Sequence, residues 1–411
     1  MYAMDKNNKP KQKKWKRFRH RVFYSILRFI LAPIIKFKYR ATIEKYHKKD
    51  RRQFLILLNH QTPFDQFFIA FMFKKPLAYF VASEDIFSNG FVSKLIRFLV
   101  SPIPIKKQTT DLRATMNCIK VAKEGSSIAI APEGNRTYSG KTEYIKPSIV
   151  KLIKFIKLPL ALVKIDGGYS VQPRWSDKVR KGKMKVYVSR IVEYDEYKDM
   201  PNDELYELIK ESLYVNENRL DFDYKSKRRA EFLERALYVC PHCGLAEFVS
   251  DKNTVKCKTC GMEVEYGENK TLSAKNGECP FQFMGEWYDY QNKFVIDSDF
   301  KKYVDTPMFT DRSDVYNVVL YKHKKRISKN AEIKLFYDKI VLRQEGKEPI
   351  FMAFDDVSTV TVLGRNKLNV YHKDQIYQFK GNRRFNALKY VNVYHKYVAE
   401  KEGTNVEFLG L

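Results

Sequence analysis

Apolar residues near the start of the chain come in pairs four positions apart: Val22–Phe23, Ile26–Leu27, Ile30–Leu31 and Ile34–Ile35. This is the helical period, and it predicts one amphipathic helix. From residue 54 to 192 the pattern changes. Short β-rich runs at Phe54–Asn59, Ala78–Ala82, Ile103–Ile105, Ser126–Ala131, Leu158–Ile165 and Met184–Val192 alternate with helical segments. Most are continuous apolar stretches, as expected of strands buried on both faces of a mainly parallel sheet flanked by helices. A charged helical stretch, Asp203–Arg235, is expected next, followed by a cysteine-bearing segment at 240–266. Beyond residue 310, apolar and polar residues alternate along Val315–Tyr321, Ile333–Leu342, Val357–Leu363, Lys367–Tyr371 and Gln375–Phe379, which predicts an antiparallel meander. A helix over Arg383–Ala399 is expected to close it.

Charge sharpens the reading of the first segment. The chain carries 76 Lys and Arg against 48 Asp and Glu, a net +28 that calls for a polyanionic partner. Residues 1–52 alone hold 18 basic and 3 acidic residues, so more than half of the excess lies in the first eighth of the chain. Basic residues precede the apolar pairs (Lys13 to Arg21, around Trp15) and follow them (Lys36, Lys38, Arg40). The apolar run Val22–Ile35 is broken by Arg28 and is too short to span a bilayer. No small-residue cleavage site follows it, as a signal peptide would require. The pattern predicts a helix lying in the membrane interface, with its basic flanks on anionic headgroups and Trp15 at the boundary. A core-facing helix would show the same stripe. The charge argues against nucleic acid, because it sits beside an apolar stripe rather than among aromatics lining a groove.

Four of the six cysteines form two knuckle-like pairs, Cys240-Pro-His-Cys243-Gly and Cys257-Lys-Thr-Cys260-Gly, with 13 residues between them. This spacing predicts a tetrahedral zinc site of four thiolates, structural because no coordination position stays open. A redox pair would come once, beside a βαβ unit. His242 is expected to face solvent, and Cys118 and Cys279 to be ordinary unpaired thiols.

Candidate chemistry sits at Asn59-His60-Gln-Thr-Pro-Phe-Asp65, where a strand ends and a helix begins. On one continuous helix His60 and Asp65 would point about 140° apart. Across a strand-to-helix turn they can meet, with Asp65 orienting the imidazole as a base. The same residues also read as a helix cap, with Thr62 at the N-cap, Pro63 in the first helical position and Asp65 in the third. A second loop, Pro132-Glu133-Gly134-Asn135-Arg136, leaves another strand end, where ligands gather in α/β sheets. Arg136 offers a planar fork suited to phosphate.

Together these motifs resemble the glycerophospholipid acyltransferase family, the group that contains the PlsC-type 1-acylglycerol-3-phosphate acyltransferases. Its Asn-His-x-x-x-x-Asp and Pro-Glu-Gly-x-Arg signatures stand here as Asn59-His60…Asp65 and Pro132-Glu133-Gly134-Asn135-Arg136. Its late apolar block with proline is similar to Leu158-Pro159-Leu-Ala-Leu-Val163. The resemblance covers about residues 20–215. It implies transfer of an acyl group from acyl-CoA or acyl carrier protein to a lysophospholipid hydroxyl, with lysophosphatidate the leading acceptor. By that resemblance His60 is the general base, Asp65 orients it, and Glu133, Gly134 and Arg136 belong to the acceptor site. The family often has Asp-Arg after its second motif strand; here Ile103-Pro-Ile105 is followed by Lys106-Lys107, and Lys107 is the candidate point charge. Asn135 and Lys146-Pro147-Ser148 are further departures that leave another lysolipid open as acceptor.

The C-terminal meander and helix resemble a pleckstrin-homology-like module in shape. The expected organisation is a basic membrane-binding segment (1–40), an α/β acyltransferase domain (41–235), a zinc ribbon (236–275) and a β-rich module (276–411). The protein is expected to sit peripherally or monotopically on the cytoplasmic face of a membrane. A catalytically silent scaffold with the acyltransferase shape is the rival expectation.

Overall fold

The computed structural model describes residues 14–46, 50–88, 90–105, 111–319, 322–404 and 409–410. Helix α1 (Phe18–Pro33) continues into a wide π-helical turn over Ile34–Lys38. The apolar pairs turn out to serve two faces. His20, Tyr24, Leu31, Ile35 and Tyr39 are buried in the domain, while Phe18, Val22, Ile26, Phe29, Ile30 and Phe37 are exposed. The core-facing reading therefore holds for one face of the helix, and the other apolar face is exposed. Trp15 departs from expectation. It packs on protein, its indole N–H donating to Ser101 O at 2.8 Å and its backbone N–H to Glu124 Oε1 at 2.9 Å. Arg28, which interrupts the apolar run, docks onto the domain by donating from Nε to Ala70 O.

Seven strands form the first sheet: β1 (Ala41–Ile43), β2 (Leu55–Leu58), β3 (Ala78–Ser83), β4 (Ile103–Ile105), β5 (Ser127–Ile130), β6 (Leu160–Asp166) and β7 (Met184–Val192). Their order is β1-β7-β6-β2-β5-β3-β4. Every pair is parallel except β6 with β7, so the sheet is mixed but mainly parallel. β2 and β5 are buried at every position, which is why they read as unbroken apolar runs. Helices α2 (Asp65–Met72), α3 (Phe91–Leu99), α4 (Leu112–Lys123), α5 (Ser148–Ile156), the single turns α6 (Gly168–Val171) and α7 (Tyr194–Tyr197), and α8 (Asn202–Leu213) complete this part.

The long helix expected over Asp203–Arg235 stops at Leu213. Beyond it the backbone reaches across to other loops: Thr142 N–H donates to Val215 O, and Lys181 and Lys225 exchange backbone hydrogen bonds. Glu217 is buried and accepts the amides of Tyr169 and Ser170. These tertiary bonds replace the i→i−4 ladder, so charge and helix propensity do not decide the conformation here.

The cysteine segment forms a two-stranded hairpin, β8 (Val239–Cys240) with β9 (Gly244–Leu245). An antiparallel meander follows, β10 (Phe248–Asp251), β11 (Thr254–Cys257), β12 (Glu263–Tyr266) and β13 (Leu272–Asn276). Helix α9 (Met284–Asp297) leads into a curled sheet of β14 (Phe309–Val319), β15 (His323–Leu335), β16 (Lys339–Arg343), β17 (Ile350–Ala353), β18 (Val357–Leu363), β19 (Lys367–His372) and β20 (Gln375–Gly381), closed by α10 (Leu388–Glu402). All pairings in it are antiparallel. The run read as Ile333–Leu342 is two strands joined by a tight turn at Phe336–Asp338, and the tail of the Val315–Tyr321 run lies outside the described residues. The last helix starts at Leu388 rather than Arg383, because Asn386 Oδ1 accepts the amides of Leu388 and Lys389. One buried cluster runs from the cysteine meander through Trp287 of α9 to the inner face of the C-terminal sheet and α10.

Candidate active site and cysteine cluster

β2 ends at Leu58 and delivers Asn59 and His60 into a turn at the mouth of the sheet. Asn59 is fully buried and fixes that turn to β6, donating from Nδ2 to Ile165 O at 2.9 Å and accepting Ile165 N–H at 2.7 Å. Helix α2 begins at Asp65, two residues later than a start at Pro63 would give, because a tight turn over Thr62–Phe64 precedes it. Asp65 then reaches back. Its Oδ2 accepts from His60 Nδ1 at 2.8 Å and from Gln61 N–H at 2.8 Å, and its Oδ1 accepts from Thr62 N–H at 2.9 Å and Thr62 Oγ1 at 2.7 Å. One carboxylate thus both satisfies the amides of the turn and orients His60, while the expected cap at Thr62 is not formed, the N-cap being Phe64 with no side-chain hydrogen bond.

With Nδ1 donating to Asp65, His60 presents Nε2 as an acceptor, and its side chain keeps 26% exposure. Burial lowers its pKa below the usual imidazole value; Asp65 opposes that, while Arg136 and Arg174 push the same way as burial. The imidazole is accordingly neutral at pH 7 and can take a proton.

The second loop is bolted to this turn. Glu133 is buried, with Oε1 accepting His60 N–H and Oε2 accepting Glu143 N–H, both at 2.7 Å. Thr137 N–H donates to His60 O. Both carboxylate oxygens of Glu133 therefore face backbone amides, and its geometry is that of a brace. Burial raises its pKa, against the two amide bonds. Gly134 lies exposed at the loop's tip. Arg136 enters the site with its NH1 nitrogen buried and without a hydrogen-bond partner. Burial, then the neighbouring Arg174 and Arg365, lower its pKa to about 10, so it stays charged at pH 7. Arg174 donates to Arg136 O at 2.9 Å and lies 4.5 Å over the Tyr138 ring. Lys107 lies outside the described residues.

Sequence reasoning missed Tyr39, Gln172, Arg174 and Arg365. Tyr39 OH donates to Gln172 Oε1 at 2.7 Å, and Tyr39, Pro63, Phe64, Gln172, Asp177 and Arg365 line a cleft of about 610 Å³ beside the His60 turn. No local pattern announces these residues, which come from three distant parts of the chain.

The four knuckle cysteines converge, all Sγ atoms within 4.8 Å of one another. Cys240–Cys260 and Cys243–Cys257 are each 3.6 Å apart. A zinc ion bonded to sulfur at about 2.3 Å has tetrahedral S···S edges of about 3.8 Å, so the donor set fits. Gly244 and Gly261, one after each pair, take φ of +76° and +77°, the turn that aims both thiols of a pair inward. His242 is exposed, as expected, and Cys118 and Cys279 are free thiols.

Comparison with known proteins finds the following similarities. Residues 40–173 match the family model described as Acyltransferase. Over 147 residues the chain is 22% identical to the 1-acyl-sn-glycerol-3-phosphate acyltransferase of Bacillus subtilis (strain 168), covering 35% of this chain and 70% of that one. The crystal structure of the 1-acyl-sn-glycerophosphate acyltransferase PlsC from Thermotoga maritima aligns at 22% identity and a TM-score of 0.38, over 48% of this chain and 80% of that one.

Proposed function

We propose that the protein is a membrane-associated O-acyltransferase that moves an acyl group from acyl-CoA or acyl carrier protein to the free hydroxyl of a lysophospholipid, with 1-acylglycerol-3-phosphate as acceptor. The observation that carries the reading is the His60–Asp65 pair within electrostatic reach of Arg136, whose NH1 is buried and without a hydrogen-bond partner. A base with an anion receptor close by is what acylation of a phosphate-bearing alcohol needs.

His60 Nε2 takes the acceptor's hydroxyl proton as that oxygen attacks the thioester carbonyl carbon. The tetrahedral intermediate collapses, the C–S bond breaks, and the leaving thiolate takes the proton from His60. Asp65 holds the tautomer and stabilises the transient imidazolium. Glu133 keeps the His60 turn in register, and Arg136 holds the acceptor's phosphate.

The outer face of α1 would meet the membrane. Phe18, Val22, Ile26, Phe29 and Ile30 are exposed beside Phe91, Val92, Leu95 and Phe98 of α3, and Arg19 links the two helices by stacking 4.0 Å over Phe98. Basic residues at both ends of α1 suit the anionic cytoplasmic leaflet. Among the described residues no helix is long and apolar enough to cross a membrane, which fits peripheral attachment. Phe37, at the end of α1, lines the cleft, so a headgroup could enter from the interface. Helix α5 by contrast buries its apolar residues Ile149, Val150, Ile153 and Ile156. The cysteine cluster would hold one structural zinc, giving the ribbon at 236–275 its knuckles.

The test is to incubate purified protein with labelled acyl-CoA and a panel of lysolipids. Labelled phosphatidic acid from lysophosphatidate is expected; no acylated product from any lysolipid would contradict the reading.

A further inference from the structure

The hairpin joining β18 and β19 carries Arg365 at its tip, and this tip reaches from the C-terminal sheet to the cleft beside His60. Asn366 ties the tip down by donating to Gly381 O and Asn382 O. Arg365 donates from NH1 to Asp177 Oδ1 at 3.0 Å; among the described residues its other guanidinium nitrogens have no partner, and the side chain is 30% exposed to the cleft. Asp177 is also bound by Arg235 at 2.8 Å, so its charge is shared and does not neutralise Arg365 alone.

One short loop gathers the cleft. Gln172 holds Tyr39, Arg174 holds the backbone of Arg136, and Asp177 holds Arg365. Arg174 and Arg365 are each within electrostatic reach of Arg136, and Tyr39 is within reach of Arg136, Arg365 and Asp65. Like charges gathered in a partly buried place are costly unless an anion joins them. The unpartnered NH1 of Arg136 and the free nitrogens of Arg365 are donors awaiting acceptors.

We propose that Arg365 is a second guanidinium of the acceptor's phosphate site, so that the C-terminal sheet completes the substrate site of the acyltransferase domain. This rests on the acyl-transfer reading above. The ligand class is a phosphate monoester on a glycerol backbone, held by forked N–H donors from two distant parts of the chain. The C-terminal half is then part of the substrate site.

The test compares full-length wild type, Arg365→Met and Arg365→Lys, each loaded with zinc, in steady-state kinetics with lysophosphatidate and acyl-CoA varied separately. Arg365→Met should raise KM for lysophosphatidate about 10- to 100-fold, the size of a lost charge-assisted pair, while KM for acyl-CoA moves less than twofold. Arg365→Lys should fall between, keeping the charge but not the fork. An unchanged KM for lysophosphatidate would overturn the proposal. So would a rise confined to acyl-CoA, which would give the site to the donor's phosphates, or an equal loss with both substrates and a lower melting temperature, which would mark a structural role. If wild type acylates no lysolipid, the acyl-transfer reading fails on its own. Calorimetric binding of a short-chain lysophosphatidate then decides the site: weaker binding by Arg365→Met, at an unchanged melting temperature, sustains it, and equal binding overturns it.

Discussion

Membrane attachment through the outer face of α1 can be tested without touching the core. Deleting residues 1–40 would strip Tyr24, Leu31, Ile35 and Tyr39 from buried positions and confuse attachment with folding. Phe29 and Ile30 avoid this, being 84% and 55% exposed. Fully burying such a side chain stabilises by roughly 1.5–3 kcal/mol. Scaled by those exposures, the pair would contribute about 2–4 kcal/mol to membrane insertion, or roughly a 30- to 700-fold change in partitioning at about 1.4 kcal/mol per decade. The double variant Phe29→Gln/Ile30→Gln should therefore leave anionic liposomes in co-sedimentation, while its thermal unfolding stays close to wild type, as surface substitutions usually do. Leu31→Ala, one position along but only 8% exposed, should do the reverse, costing about 2–5 kcal/mol of stability. Raised salt should weaken wild-type attachment only in part, because the apolar contribution is not screened. If the double variant sediments with liposomes as wild type does, the outer face of α1 is not the membrane contact.

Elemental analysis should find about one zinc per chain, and Cys257→Ser should lose it and lower the melting temperature; a stable, fully active metal-free protein would contradict the four-thiolate site. Turnover should fall as pH drops through the lowered pKa of His60, with the acid limb centred below 6.5, because protonated imidazole cannot accept the hydroxyl proton; a limb centred above 7 would contradict the assignment. Glu133→Gln should slow turnover and lower stability together, since an amide nitrogen would face either the His60 or the Glu143 N–H, at a cost of about 1–3 kcal/mol. Unchanged stability in that variant would remove Glu133 from its bracing role.

The parts of the site that were legible in the sequence are those whose partners are close in the chain. The His60–Asp65 pair needs only a strand-to-helix turn, and the turn residues between them announce it. Each cysteine knuckle is likewise local, with its glycine beside it. The buried strands announce themselves because both faces are covered. What stayed hidden depends on distant partners. The doubled apolar stripe of α1 does not say which half faces the core, since Ile30 and Leu31 are alike in chemistry and opposite in burial. The stretch after Leu213 carries helix-compatible residues, yet Glu217 and Lys225 bind loops elsewhere. The family resemblance puts Glu133 in the acceptor site, but nothing local shows that its oxygens accept two amides, one of them 73 positions away. Arg365 had no visible reason to be near residue 136, because the packing of two sheets alone brings them together.

The central claim is that His60 is the base of an acyl transfer to a phosphate-bearing acceptor. Single-turnover transfer from labelled acyl-CoA to lysophosphatidate, measured for wild type and His60→Ala at pH 7.5, tests it most directly. The account predicts phosphatidic acid from wild type and a rate about 10²- to 10⁴-fold lower from His60→Ala, the usual size of a lost general base, with the melting temperature preserved. A His60→Ala protein that transfers the acyl group at a near-normal rate would contradict it.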